Sequence, residues 1–392
     1  MRFKEKIRNL IPRLPLDIES MDSGIMRPFL AISLVVMTGC GDNLGGDGGN
    51  TDVTSGDNFP VEDTGVVSKL VPEVCGVRSW DTVIPTAKDI DLAVVQMPQG
   101  AGILSVPKQG GYLTGFLVDA RGLIMSEIQG TKVRTDGTWT GVSAANIDDR
   151  LVVGLTDGVK TSVSVVRDDL GDFRELAVVD GGVLGDAPLV HSRGARVAAV
   201  GDVSGIVTSV FDQAWTQVGS EVLNVSAPIS LTTATYGSDA IIAWSTENDC
   251  NLSRLAAGTH SVQPFACRNA KLAMNFNDRS GELVFERGNG ITLSDIRINS
   301  HGEIANEIPI VSEGRSPRIA FDGERYWISY LNTHGDIVVG YLDEDYSIVS
   351  TAIEFTRPAH DAYELAMIDG EMWLYSLDGD AGFGAHKLCL TR

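Results

Sequence analysis

Six ionisable residues stand where polar turns run into apolar, strand-forming segments: Asp89, Asp91, Asp186, Arg315, His360 and Asp361. If those segments surround a common axis, these residues meet at one mouth. Two carboxylates about 5 to 9 Å apart at such a mouth would be equipped for glycoside hydrolysis, one as acid and the other as nucleophile or base. Aspartates of this kind also start turns, because the side chain accepts hydrogen bonds from the backbone two residues on. The six therefore define a candidate binding mouth, and no residue is assigned a catalytic role.

Other chemistry is sparse. The histidines, His191, His260, His301, His334, His360 and His386, never pair at the i, i+2 or i+4 spacing of a local zinc motif. There is no Gly-x-Ser-x-Gly elbow, His-Glu-x-x-His pair or phosphate-binding loop. No metal and no cofactor is expected. Acidic pairs such as Asp168-Asp169 and Asp378-Gly379-Asp380 read as solvated turn tips.

The cysteines carry more information. Phe29–Met37, FLAISLVVM, is too short to span a bilayer but fits the apolar core of an export signal, with Arg27 as its positive flank. Met37-Thr38-Gly39-Cys40 follows. This resembles the bacterial lipobox, with Met37 where leucine is usual. The resemblance implies that the Cys40 thiol receives a diacylglyceryl group and that the chain is cut before it. It also implies an envelope protein held to the membrane through the lipid on Cys40, with palmitate among the acyl chains. Gly41 follows where aspartate would favour inner-membrane retention, which places the protein at the outer membrane. Residues 1–39 form the signal region. Asp17, Glu19 and Asp22 are foreign to a basic signal start, so translation is expected to begin at Met21 or Met26.

Residues 40–69 hold the lipidated cysteine and a Gly/Asp/Asn/Ser/Thr-rich stretch with almost no apolar content. Such a segment cannot bury enough surface to offset the entropy of ordering it. It reads as a tether of about 30 Å mean reach. Overall, 52 acidic against 31 basic residues give a net charge of −21. That excludes a nucleic-acid binder, which needs a basic face, and electrostatic adhesion to anionic lipid.

The elements that must position the mouth lie in residues 70–392. Ser316–Leu331 and Tyr363–Leu377 each read as an apolar strand, an Asp-Gly turn and an aromatic-rich strand. Asp322-Gly323 and Asp369-Gly370 are two-residue hairpin signals with φ > 0 expected at both positions. Related pairs begin near residues 92, 143, 188, 228 and 271. Each is followed by a third strand and a weaker fourth. Four antiparallel strands per roughly 45 residues is the period of a propeller blade. The expected fold is an all-β, seven-bladed β-propeller of four-stranded antiparallel blades. Trp244, Phe285, Trp327 and Trp373 recur on the second strand of their units and read as inter-blade core. Over about 320 residues the chain resembles bacterial propeller lipoproteins in architecture. It lacks the Gly-His…Trp-Asp, double-glycine and Asp-box repeat signatures of named propeller families.

The last unit has only three strands before Arg392, so the segment around Val74–Ile84 is expected to supply its fourth and close the ring. That places Cys75 beside Cys389. Cys250 and Cys267 fall on loops of one face of the fourth unit, so Cys250–Cys267 is the second expected pair. Exported proteins sit where such bonds persist.

These readings point to a non-enzymatic envelope module that binds a protein or a glycan. The alternatives are a polysaccharide hydrolase or lyase with carboxylates at the mouth, and a structural component of an envelope complex.

Overall fold

A computed structural model describes residues 70–80, 90–129, 138–166, 173–256, 259–278, 280–297, 303–355, 358–378 and 382–391. All lie in the second of the chain's two units, Val66–Arg392. The signal region, Cys40, the tether and Asp89 lie outside the described residues.

The described chain folds as seven antiparallel sheets arranged as a β-propeller. The innermost strands of blades 1 to 7 are Ile90–Met97, Gly141–Ile147, the pair Val183–Leu184 and Val190–Ser192, Ser230–Tyr236, Leu272–Phe276, Arg315–Phe321 and Pro358–Ile368. Each packs against the innermost strands of its two neighbours, so together they enclose a channel. Cores form between the sheets, because residues alternate between the two faces of each strand and both faces meet a neighbouring blade. Trp244, Phe285, Trp327 and Trp373 are all buried in these inter-blade cores.

The ring closes by strand exchange. Val71–Trp80 pairs antiparallel with Gly382–Thr391 and becomes the outermost strand of blade 7. Two bonds fasten the seam to its neighbours. The Tyr341 hydroxyl donates to the Leu70 carbonyl at 2.8 Å, and the Arg78 guanidinium donates to the Ala120 carbonyl at 3.2 Å while lying over the Trp373 ring. Cys75 and Cys389 are disulfide-bonded across this pair with Cα atoms 5.8 Å apart, and Cys250 and Cys267 are bonded at 5.2 Å.

Two local expectations need correction. Asp369-Gly370 has positive φ at both residues, as a two-residue hairpin requires, but at Asp322-Gly323 only the glycine does. There the connection runs over four residues, because Asp322 Oδ1 accepts the backbone N–H groups of Glu324 and Arg325 and holds a wider turn. Blade 3 has five strands, because its inner position is split. The break falls at Gly185-Asp186-Ala187-Pro188, where Pro188 offers no backbone donor to the ladder.

Candidate functional site: a charged channel mouth

Each inner strand starts on the face of the propeller that also carries the turns between second and third strands. On this face the channel opens into a cavity of about 760 Å³. Charge enters it from five blades: Asp91 and Lys108 from blade 1, Asp186 from blade 3, Lys271 before the inner strand of blade 5, Arg318 from blade 6 and Glu364 from blade 7. Three cations thus balance three carboxylates inside a protein of net charge −21.

The carboxylates are held by specific partners. Asp91 Oδ2 accepts the Val142 backbone N–H at 2.9 Å, which ties blade 1 to blade 2. Asp186 Oδ2 accepts the Thr232 hydroxyl at 2.5 Å, which ties blade 3 to blade 4. Arg318 Nε donates to Glu364 Oε1 at 2.8 Å between blades 6 and 7. Arg318 and Glu364 keep 22 and 24 % of their side-chain surface, but that surface faces the channel and protein walls surround it.

Enclosure governs the titration. Burial pushes Asp91 and Asp186 above the usual carboxylate range, against the lowering pull of Arg318 and Lys271. Glu364 rises to about 7, burial outweighing the attraction of Arg318. The carboxylates around Arg318 raise its own affinity for a proton despite burial.

A bulge aims Arg318 into the channel. Ser316 adopts φ +53°, a left-handed conformation rarely taken by a non-glycine residue. It is held there by Glu286, which accepts its N–H at 2.7 Å, and by the Tyr363 hydroxyl, which donates to its carbonyl. The register shifts between Arg315 and Arg318.

Of the residues singled out from sequence, Asp91 and Asp186 line the cavity. Arg315 is exposed and does not line it. His360 and Asp361 lie on the inner strand of blade 7, but their side chains lie outside the described residues, as does all of Asp89. Arg318, Glu364, Lys271 and Lys108 escaped the sequence reading. The available signal was a charged residue within or beside an apolar inner strand, as in Pro317-Arg318-Ile319-Ala320 and Tyr363-Glu364-Leu365.

Exposed apolar side chains stand on this face along blades 1 to 4. Tyr112, Val159 and Val203 cap the turns between second and third strands of blades 1, 2 and 3, and Ile229 precedes the inner strand of blade 4. They are 52 to 88 % exposed, and Ile229 also lines the cavity.

The raised carboxyls set a pH dependence. A folded pKa above the unfolded value contributes stability that is complete below the unfolded pKa and is lost as pH rises through the folded one. Glu364 therefore opposes the fold progressively from about pH 4.5 to 7. Glu364→Gln is expected to flatten the fall in melting temperature over that interval, read by calorimetry at half-unit pH steps. An unchanged slope would show that Glu364 ionises in the folded protein as it does in water.

No family model matches the chain, and no curated protein matches it. Among solved structures, the crystal structure of the WD40 domain from Toxoplasma gondii coronin aligns with a TM-score of 0.54 over 83 % of this chain and 87 % of that one, at 11 % identity. At that identity the likeness shows the fold alone. The repeat signature that names the WD40 family is not what carries it, since this chain has no Gly-His…Trp-Asp pair in its blades.

Proposed function

We propose that the protein is a lipid-anchored binding module of the cell envelope, held at the outer membrane through Cys40, which engages a protein partner with the mouth face of its propeller. A propeller fold is consistent with a binding or scaffold role. The observation that carries the reading is the set of apolar tips, Tyr112, Val159, Val203 and Ile229, on the blade 1 to 4 side of the face that holds the charged mouth. Apolar side chains gathered on one face and rimmed by polar groups mark protein contact sites. A glycan would favour several aromatic platforms, and Tyr112 is the one aromatic residue among these tips.

The carboxylates favour binding over catalysis, since each satisfies a bond between blades. Paired Val159→Asp and Val203→Asp changes are expected to abolish partner capture from solubilised envelopes while leaving the melting temperature unchanged. Retained capture would exclude this face.

One observation favours the hydrolase or lyase reading: Glu364, at about 7, has the acidity of a general acid working near neutrality. Depolymerisation of an envelope polysaccharide by the purified protein, abolished by Glu364→Gln, would establish it.

A further inference from the structure

On the opposite face, between blades 5 and 6, a second cavity of about 780 Å³ is lined by Glu282, Glu324, Arg325 and the acidic turn Asp343-Glu344-Asp345 among aromatic walls. Glu282 is its unusual member. It lies on strand Gly281–Arg287, is 2 % exposed, and leaves Oε2 without a hydrogen-bond partner. Its direct register partner on the adjacent strand is another acid, Asp295. Opposed residues on neighbouring strands hold their Cβ atoms about 5 Å apart, and like charges there are destabilising. A buried, incompletely bonded carboxyl opposite a carboxylate needs either a proton or a positively charged ligand.

The surroundings decide which cation fits. The described residues contain no group of three or more side chains able to hold a metal ion. The cavity is far larger than an ion. Its walls carry Phe321, Tyr326, Tyr341 and Tyr346, whose ring faces attract organic cations. Four further acids line it against one arginine, and Arg325 is already paired with Glu324 at 3.0 Å and lies over Tyr341.

We infer that this cavity binds an alkyl ammonium group, whose N–H donors take the place of the proton between Glu282 and Asp295. Tyr346 covers the pair. It belongs to a turn in which it adopts φ +59°, and its hydroxyl bonds Asp295. The groups facing Glu282 are Asp295 from its own sheet and Tyr326 and Tyr346 from blade 6, with Tyr236 of blade 4 beyond Tyr326. Burial, and then the charge of Asp295, push Glu282 up to about 9. Below that pH it binds the ligand only by releasing its proton to the buffer. The ammonium can come from a free polyamine or from a lysine side chain of a peptide.

Titration calorimetry of the mature protein with spermidine, and separately with Nα-acetyl-lysine methylamide, tests this. Expected is binding of at least one of the two. Repeats in buffers of different ionisation enthalpy should show release of about one proton per ligand, and affinity should rise about tenfold from pH 7 to pH 8. Glu282→Gln, which mimics the protonated acid, should keep the melting temperature at pH 7 and lose binding at least tenfold. Spermidine alone binding would name the free amine as source, and the capped lysine binding as well would name the side-chain ammonium. Binding of neither amine, or binding without proton release and indifferent to Glu282→Gln, would overturn the site. The proton count needs no variant, so a misfolded Glu282→Gln protein leaves the test intact. The outcome is independent of the mouth face.

Discussion

Serine at both Cys75 and Cys389 is expected to lower the stability of the propeller by up to about 5 kcal/mol. The bond spans 314 residues of sequence. Nothing else covalent ties the first described strand to the last blade. In the unfolded chain the cross-link forbids almost all separations of its ends, and the entropy it removes grows with the logarithm of the loop. The Cys250–Cys267 bond closes a separation of 17 and is worth about 3 kcal/mol on the same scale. The seam also has more to lose. Without the bond, the closing segment is held by one ladder, the packing of Val74 against the core between blades 6 and 7, the Arg78 contacts and the Tyr341 bond to Leu70, and its release would leave an open sheet edge on blade 7. Denaturant midpoints of the two double-serine proteins should rank in that order. Equal midpoints would show that the closing strand stays docked without its cross-link. Non-reducing peptide mapping gives the direct check, and a Cys75–Cys250 peptide would contradict both the pairing and the exchange.

Cys40→Ser is expected to be all or none. The variant should keep its signal region uncleaved and incorporate no palmitate analogue. Two acyl chains hold a protein stably where one gives only marginal binding, with an association constant of about 10⁴ M⁻¹. The acidic body offers no electrostatic substitute for the lipid. A Cys40→Ser protein that still labels would refute the lipobox.

The fold was legible because one unit recurs. A buried aromatic on each of several second strands and a turn after each first strand set the period, and a last unit one strand short called for a partner from the N-terminal edge. The turn chemistry was less legible. Asp-Gly is compatible with both a two-residue hairpin and the Asp-capped four-residue turn at Asp322, and the choice depends on the register of strands that the dipeptide does not encode. The mouth was half legible. Asp91 stands at the start of an inner strand and Asp186 interrupts one, which places them at a channel end. Arg315 and Arg318 lie three residues apart on one strand, so alternation sends them to different faces without saying which faces inward. The bulge at Ser316, held by side chains from blades 5 and 7, decides it. Glu282 was hidden for a similar reason. Gly281-Glu282, Gly323-Glu324 and Gly370-Glu371 look equivalent in sequence. The Asn277–Ser280 turn carries Glu282 inside its strand and buries it, whereas Glu324 sits in a turn and is exposed.

The central claim is that the mouth face is where this protein meets its partner. Photoreactive residues placed in living cells at Val159 and Val203 on that face, and at Leu123 and Ser238 on the opposite face, test it most directly. One discrete cross-linked product is expected from Val159 and Val203 and none from Leu123 or Ser238. A product from the opposite face alone, or no product from Val159 and Val203, would contradict it.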